Sequence, residues 1–217
     1  MNQQASLLVE MMEQKRKHKG TKIITVASGK GGVGKTSLAI NLGLAFTRMG
    51  KETIIMDADL GLANVNIILG VIPKYNLYNV LKGQKTMREI IVDTPQGVKI
   101  IAGASGFYQL ANLEREQKEN FIRGLEELDY ADIIIIDTGA GVSDNVLSFV
   151  TAADEVIIVT TPEPTSITDA YGIIKSIAAR NSNLPLKLIV NRVSSVLEGR
   201  KVAERVINIA NQFLNMR

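Results

Sequence analysis

The chain has 217 residues, of which 46% are hydrophobic and none is cysteine, so it is long enough for one well-buried α/β domain and offers no thiolates for an iron–sulfur cluster. Lys and Arg number 25 against 22 Asp and Glu, and the surplus lies within residues 1–22. Residues 23–217 are therefore neutral overall, which argues against a broadly basic DNA-binding surface.

Residues 2–14 have the pattern of a short amphipathic helix, with its apolar stripe at Ala5, Leu8, Val9 and Met12. The basic cluster Lys15–Lys19 and then Gly20 end this helix, and no core strand precedes it. The segment is therefore either a loosely attached extension or an element that binds a partner. No run reaches the length of a membrane span and residues 1–20 lack the apolar core of a signal peptide, so we expect a cytoplasmic protein.

A phosphate-binding loop follows the first β-branched run of the chain. The segment Gly29-Lys30-Gly31-Gly32-Val33-Gly34-Lys35-Thr36 fits the pattern G-x-x-x-x-G-K-[ST]. Its backbone N–H groups can turn toward a phosphate, Lys35 can reach the β and γ oxygens, and the Thr36 hydroxyl can bind Mg²⁺. A helix over Thr36–Met49, closed by Gly50, would aim its N-terminus at the same anion. We expect residues 29–36 and Ser37 to bind the nucleotide.

Acidic residues follow two further predicted strands. Asp57 and Asp59 come after the strand Glu52–Met56, and Asp137 comes after the isoleucine run that begins at Ile133. Because ligands of open α/β sheets bind beyond the carboxyl ends of the strands, these carboxylates should lie near the phosphates. We expect Asp57 to hold the Mg²⁺ shell directly or through water, and Asp137 to contact Mg²⁺ through water as a Walker B aspartate. Asp59 can orient the attacking water. The predicted metal residues are thus Thr36, Asp57 and Asp137.

Residues 62–111 carry few strong signals and are interpreted as one connected crossover. The weak signals in it predict short helices around Leu62–Leu69 and Leu77–Leu81, and a strand at Val98–Ile101. Leu113–Leu128 predicts a charged amphipathic helix with a structural role.

The second half of the chain continues the alternation of strands and helices. Thr138–Gly141 is expected to form a flexible switch that senses the γ-phosphate, and Ser166 with Asp169 has the spacing of a capping box. Strands are predicted at Glu155–Thr161 and Leu186–Val190, and helices at Ile167–Ala179 and Arg200–Leu214. The whole pattern indicates a doubly wound, mainly parallel sheet with helices on both faces, as in P-loop NTPases.

The early lysine of the loop, in Lys30-Gly-Gly-x-Gly-Lys35-Thr36, resembles the deviant Walker A motif of the family that contains MinD, ParA and the nitrogenase iron protein. The resemblance implies a Mg²⁺-dependent ATPase that dimerises face to face when ATP is bound, with Lys30 reaching the nucleotide of the other subunit. It implies Asp59 as the catalytic aspartate beside Lys30 and Lys35. It also implies that Asn191 and Arg192, after the strand Leu186–Val190, lie against the adenine.

Four more segments resemble the flagellar-number ATPases called FlhG, FleN or YlxH, namely residues 57–64, 103–106, 137–141 and 160–166. That family begins with an Asp-Gln-Ala-like segment that binds and activates the signal-recognition-type GTPase FlhF. Here Gln3 matches the central glutamine, whereas Asn2 and Gln4 depart from the pattern. The resemblance implies a partner-binding segment at residues 1–20, with contacts from Gln3, Gln4, Leu7 and Leu8, ahead of an ATPase domain at 21–217.

The same resemblance implies further partners: flagellar switch proteins or a transcription regulator, and the inner face of the cell membrane. Because relatives usually continue with another strand, further helices and a membrane-targeting helix, we expect that such a C-terminal segment is missing after Arg217. Three alternatives stay open. A MinD-type cell-division ATPase explains the core but not Gln3, a ParA-type partition ATPase requires DNA binding that the neutral core disfavours, and a non-enzymatic adaptor would bind nucleotide without turnover.

Overall fold

A seven-stranded sheet forms the centre of the structure, a computed structural model that describes residues 20–59, 64–103, 124–125 and 127–214. Its strands are β1 (Lys22–Ser28), β2 (Thr53–Ala58), β3 (Ile91–Asp93), β4 (Lys99–Ile101), β5 (Ile133–Ala140), β6 (Glu155–Thr160) and β7 (Leu186–Val190). They lie in the order β3-β4-β2-β5-β1-β6-β7, and every neighbouring pair is parallel except β3 and β4.

Helices cover both faces of this sheet, which confirms the predicted doubly wound fold. They are α1 (Lys35–Arg48), α2 (Val65–Ile68), α3 (Leu77–Leu81), α4 (Asp144–Thr151), α5 (Pro164–Ala178) and α6 (Val196–Leu214). Ile133 and Ile135 of β5 pack in one core cluster with α1, whereas Ile134 and Ile136 pack in another with α3. Because side chains of a strand alternate between faces, burial on both faces requires the unbroken isoleucine run.

The helix α6 covers the sheet on the β6 and β7 side. Val202, Val206 and Ala210 are buried in one cluster with the apolar residues of α4 and α5, so the helix predicted at Arg200–Leu214 packs on the core. It begins at Val196, four residues before the predicted start.

Two central strands are longer than predicted. β2 reaches Ala58 and β5 reaches Ala140, so Asp57 and Asp137 lie inside their strands, paired with each other in register. The expected flexible switch at residues 138–141 is therefore wrong in part: the first three of these residues continue β5, and the Thr138 hydroxyl donates to the Val26 carbonyl at 3.0 Å. Neighbouring strands on both sides supply the hydrogen bonds that extend β5.

The single crossover predicted for residues 62–111 is wrong in part as well. The strand at residues 99–101 exists, but Ile91–Asp93 pairs with it antiparallel as the edge strand β3. Gly97, with φ +85°, turns the chain between them, and its N–H donates to the Thr94 carbonyl at 2.9 Å. A strand of three residues is too short to show a periodic pattern, so the sequence does not reveal it.

The predicted capping box is also wrong, because α5 begins earlier. Glu163 is the N-cap residue and Pro164 is the first helical residue, a position that suits its fixed φ. The hydroxyl of Ser166 points instead to the end of β6: its Oγ accepts from the Thr161 N–H at 3.1 Å and lies 3.0 Å from Thr160 Oγ1. Ser166 thus joins the start of α5 to the sheet.

Some predictions lie outside the described residues. These are the helix at residues 2–14 with Gln3, Gln4, Leu7 and Leu8, most of the helix at 113–128, and the first two residues of the helix at 62–69. In the described part of the chain, no helix combines the length and the apolar character that crossing a membrane would require.

Candidate nucleotide-binding site

Two glycines shape the loop between β1 and α1. Gly32 and Gly34 have φ angles of +73° and +101°, a backbone conformation that side chains rarely adopt. Gly34 is the N-cap of α1, and Lys35, the first residue of this helix, is buried. The free N–H groups of the first helical turn therefore face the loop, and this is the geometry in which a helix N-terminus binds an anion.

The loop is packed closely between two other parts of the chain. A Cβ on Gly29 would stand 2.1 Å from the backbone oxygen of Asp169 in α5, so only glycine fits there. On the other side, Asn191 Nδ2 donates to the Val33 carbonyl at 2.8 Å, and a Cβ on Gly34 would stand 2.4 Å from the same nitrogen. Asn191 therefore fixes the loop, a role that the sequence did not indicate.

Arg192, beside it, is exposed and has φ +58°, the one positive φ among the described residues other than glycine. The expected contact of Asn191 and Arg192 with adenine stays a prediction.

Asp137 is the buried carboxylate at the centre of the site. Within the described residues its buried Oδ1 has no hydrogen-bond partner, and the Thr36 side chain lies close enough to lower the pKa of the same carboxylate. Burial raises the pKa of Asp137 to about 7, an effect that Thr36 and Lys35 oppose and that the charges of Asp57 and Asp59 reinforce. The structure thus brings Thr36, Lys35 and Asp137 together.

Asp57 lies beside Asp137, and both of its carboxylate oxygens accept hydrogen bonds from the backbone. Its Oδ1 accepts from the Asp59 N–H at 3.0 Å, and its Oδ2 accepts from the N–H groups of Asn64 and Val65 at 2.9 and 3.1 Å. Burial raises the pKa of Asp57, and these backbone donors lower it. The carboxylate therefore holds the backbone on both sides of residues 60–63 against the end of β2.

Asp59 is half-buried and follows β2 directly. A Cβ on Gly139 would stand 3.5 Å from Asp59 Oδ1, so this carboxylate faces the last residues of β5. Its charge acts on both Asp57 and Asp137. Asp57, Asp59 and Asp137 thus lie close to one another at the ends of β2 and β5.

Lys30 contacts its own chain. Its Nζ lies 2.5 Å from Glu163 Oε2 and 2.9 Å from Thr165 Oγ1, at the start of α5. Lys30 lowers the pKa of Glu163. The sequence predicted neither contact, because Glu163 and Thr165 were treated only as residues that precede a helix. The segment Pro-Glu-Pro-Thr-Ser at residues 162–166 was the one sequence feature that could have indicated them.

The residues present fit a Mg²⁺ ion that is bound together with phosphate. No three Asp, Glu, His or Cys side chains in the described part of the chain form a metal site by themselves. Proteins usually bind Mg²⁺ through one or two carboxylates together with waters and phosphate oxygens. The buried, unpartnered Oδ1 of Asp137 beside the Thr36 hydroxyl is the group that such an ion, or its bound water, would satisfy.

Comparison with known proteins agrees with this geometry. A family model described as an AAA domain matches residues 21–189. The antiactivator FleN of Pseudomonas aeruginosa is 39% identical over 195 residues, which cover 89% of this chain and 70% of FleN. The flagellum site-determining protein YlxH of Helicobacter pylori is 40% identical over 217 residues, covering 97% of this chain and 73% of YlxH.

The chain belongs to the MinD/ParA-like P-loop ATPases, in the group of FleN and YlxH.

Solved MinD structures share the fold. The septum site-determining protein MinD of Pyrococcus horikoshii, complexed with Mg-ADP, has a TM-score of 0.69 at 29% identity and covers 86% of this chain and 77% of its own. The MinC:MinD complex of Aquifex aeolicus gives 0.73 at 28% identity, over 90% of this chain and 78% of the other. Nucleotide and Mg²⁺ binding thus occur in this family of ATPases.

Proposed function

We propose that this chain is a Mg²⁺-dependent ATPase that acts as a slow switch and regulates the number or placement of flagella. ATP binding favours a dimer, and hydrolysis separates it. The observation that carries the ATPase assignment is the unpartnered, buried Oδ1 of Asp137 beside Thr36 and Lys35 at the glycine loop. Likeness to FleN and YlxH supports the flagellar role.

Each side chain has a role in this proposal. Lys35 and the N–H groups at the start of α1 would bind the phosphates, and Thr36, Asp57 and Asp137 would hold a Mg²⁺ ion, whose charge would offset that of the phosphate oxygens. The three backbone N–H groups on Asp57 favour a contact through water over a direct one. Asp59 orients the attacking water.

The dimer explains why a second lysine stands in the loop. In the ATP state, Lys30 leaves Glu163 and Thr165 and contacts the nucleotide of the partner subunit, where a cation stabilises the charge that develops on the phosphate. Lys30 and Lys35 together then surround the reacting phosphate from two subunits.

Replacement of Asp59 tests the switch. Asp59→Ala should lower phosphate release by roughly 10²- to 10⁴-fold, because water is no longer oriented, and should trap a dimer in ATP but not in ADP. Sedimentation velocity with each nucleotide measures the dimer, and Asp129→Ala, which changes an exposed aspartate, is the control. An Asp59→Ala protein that stays monomeric in ATP would show that the mechanism is wrong.

We further propose that residues 1–20 bind an FlhF-type GTPase and stimulate its GTP hydrolysis, with Gln3, Gln4, Leu7 and Leu8 at the contact. The match to YlxH covers 97% of this chain and therefore includes most of residues 1–20. The full chain should stimulate GTP hydrolysis, Gln3→Ala should abolish the stimulation, and Gln14→Ala should keep it.

A MinD-type role in cell-division positioning is the second candidate, because MinD of Bacillus subtilis is 34% identical over 80% of this chain. The higher identity to YlxH, 40% over 97% of the chain, favours the flagellar role. If the chain did not stimulate GTP hydrolysis at all, the MinD-type role would be favoured over the flagellar role. The proposal has three further parts. The protein binds reversibly to the cytoplasmic face of the membrane, it contacts flagellar switch proteins or a transcription regulator, and it has little affinity for DNA.

A further inference from the structure

Positive side chains lie against three tyrosine rings on the surface formed by α3 and the segments beside it. The distances to the ring centres are 5.3 Å for Lys74 and 4.7 Å for Lys85 at Tyr75, 5.6 Å for Lys82 at Tyr78, and 5.4 Å for Arg88 at Tyr130. Contacts of this kind occur about once per 70–80 residues, so their density here is several times higher than usual. We name Lys74, Tyr75, Tyr78, Lys82, Lys85 and Arg88 the lysine–tyrosine surface.

The lysine–tyrosine surface has an excess of positive charge. Lys85 Nζ pairs with Glu89 Oε1 at 2.7 Å, and Arg88 Nε donates to the Glu127 carbonyl at 3.0 Å. Lys74 and Lys82 are exposed, and neither has an ion pair within the described ranges. Because residues 23–217 are neutral overall, this local excess is a feature of the surface and not of the composition.

A cavity of about 240 Å³ opens beside these cations. Buried Val80 and Met87 line it together with Gly83, Gln84, Thr86 and Gly124, and the charged side chains of Lys85, Glu89 and Glu127 stand at the same cavity. Sites for small-molecule ligands are usually larger, from roughly 300 Å³ upward. The cavity is therefore smaller than most small-molecule sites but has room for one side chain of a larger partner.

Buried apolar residues anchor the lysine–tyrosine surface to the core of the sheet. Leu77, Val80, Met87 and Ile90 are buried in the core cluster of β2, β4 and β5. The Leu77 N–H donates to the Ala102 carbonyl at 3.1 Å, which ties the start of α3 to the end of β4. A partner would meet preformed positions, which lowers the entropy lost on binding.

We propose that the lysine–tyrosine surface binds an acidic segment of a partner protein. Carboxylates of the segment contact Lys74, Lys82 and Arg88, and one apolar side chain enters the cavity at Val80 and Met87. The tyrosines hold the cations in place and leave their charged groups facing solvent. Nucleic acid fits less well, because cations already lie over the ring faces on which bases would stack.

The test uses the full chain and a fluorescein-labelled synthetic peptide of Glu and Asp with one central Leu. Binding is followed by fluorescence anisotropy at 50 mM and 300 mM salt, because screening should weaken it. A Lys74→Gln/Lys82→Gln/Arg88→Gln variant should bind at least tenfold more weakly. The control Lys175→Gln/Lys201→Gln/Arg205→Gln, which removes three exposed cations from α5 and α6, should bind within twofold of the original chain.

A second pair of measurements examines the cavity and the class of partner. Gln84→Trp changes an exposed position on the cavity rim. It should weaken binding of the Leu-containing peptide and leave the binding of a peptide with Gly in place of Leu unchanged. Equal losses of affinity for the acidic peptide in both triple variants would overturn the proposal. So would tighter binding to a single-stranded oligonucleotide, or to vesicles with phosphatidylserine, than to the acidic peptide. Circular dichroism of every variant checks that it is folded.

Discussion

Gly29 and Gly31 lie two positions apart in the phosphate loop but differ in the space around them. A Cβ on Gly29 would overlap the Asp169 backbone, whereas one on Gly31 would meet nothing within 4 Å. Gly29→Ala should therefore lower the free energy of unfolding by about 1–3 kcal/mol, the usual cost of overpacking, and Gly31→Ala should change it little. Urea unfolding of the nucleotide-free chain measures both. Equal losses would mean that α5 moves aside to accept the methyl group.

Asp137 gives the site an unusual dependence on pH. An aspartate of the unfolded chain titrates near 3.8 and folded Asp137 titrates at about 7, so the folded state holds the extra proton between these values. The folded state is therefore stabilised by this proton below about pH 4. The stabilisation is lost as the pH rises from about 4 to about 7, and the free energy of unfolding falls by an amount on the order of a few kcal/mol.

Asp137→Asn should remove this loss. In Mg²⁺-free and nucleotide-free protein, the variant and the original chain should differ little near pH 4, and the variant should be the more stable one at pH 8. Urea unfolding across this range measures the difference. The same variant should lose ATP hydrolysis, which would show that the ionised Asp137 lowers stability but is needed for activity. A difference that does not change with pH would contradict the assigned pKa.

At the scale of elements, one carboxylate joins three neighbouring strands. Glu155 of β6 pairs with Lys22 of β1 at 2.7 Å and with Lys187 of β7 at 2.5 Å. Lys187 and then Lys22 lower the pKa of Glu155 below its usual 4.5. The pairs therefore contribute stability above that pH, and the contribution disappears as the pH falls through the lowered value.

Glu155→Gln should lower the free energy of unfolding at pH 7 by about 1 kcal/mol, because water around the exposed lysines screens the pairs. The loss should shrink as the pH falls through the lowered pKa of Glu155, below which the carboxyl group is protonated in either state. Glu89→Gln, which breaks an exposed pair with Lys85 on one segment, is the matched control and should have no measurable effect. Thermal unfolding at pH 7 and pH 3 compares the two variants.

At the scale of the whole molecule, the ion pair of Lys30 with Glu163 competes with the proposed dimer. If Lys30 must leave Glu163 to reach the partner's nucleotide, Glu163→Gln should shift the ATP-dependent dimer to a several-fold lower protein concentration. Lys30→Ala should prevent ATP-dependent dimerisation. Sedimentation velocity measures both, with Glu204→Gln on the exposed face of α6 as the control. A weaker dimer in Glu163→Gln would mean that Glu163 itself serves the interface.

The amino-acid sequence alone determined the fold class and which side chains meet beside the phosphate loop. The loop at residues 29–36 and the isoleucine run 133–136 are local patterns, and a parallel sheet brings the carboxyl ends of its strands to one edge. These two facts sufficed to place Lys35, Thr36, Asp57, Asp59 and Asp137 together.

Only the tertiary structure decided how these residues are engaged. Lys30 meets Glu163 across 133 positions of the chain, and Asn191 meets Val33 across 158. Asp57 turned out to hold three backbone N–H groups, and Ser166 to bind the end of β6 in place of capping a helix. Local spacing shows which residue types stand near one another along the chain, but side-chain contacts depend on how distant elements pack, and that packing is a property of the folded molecule.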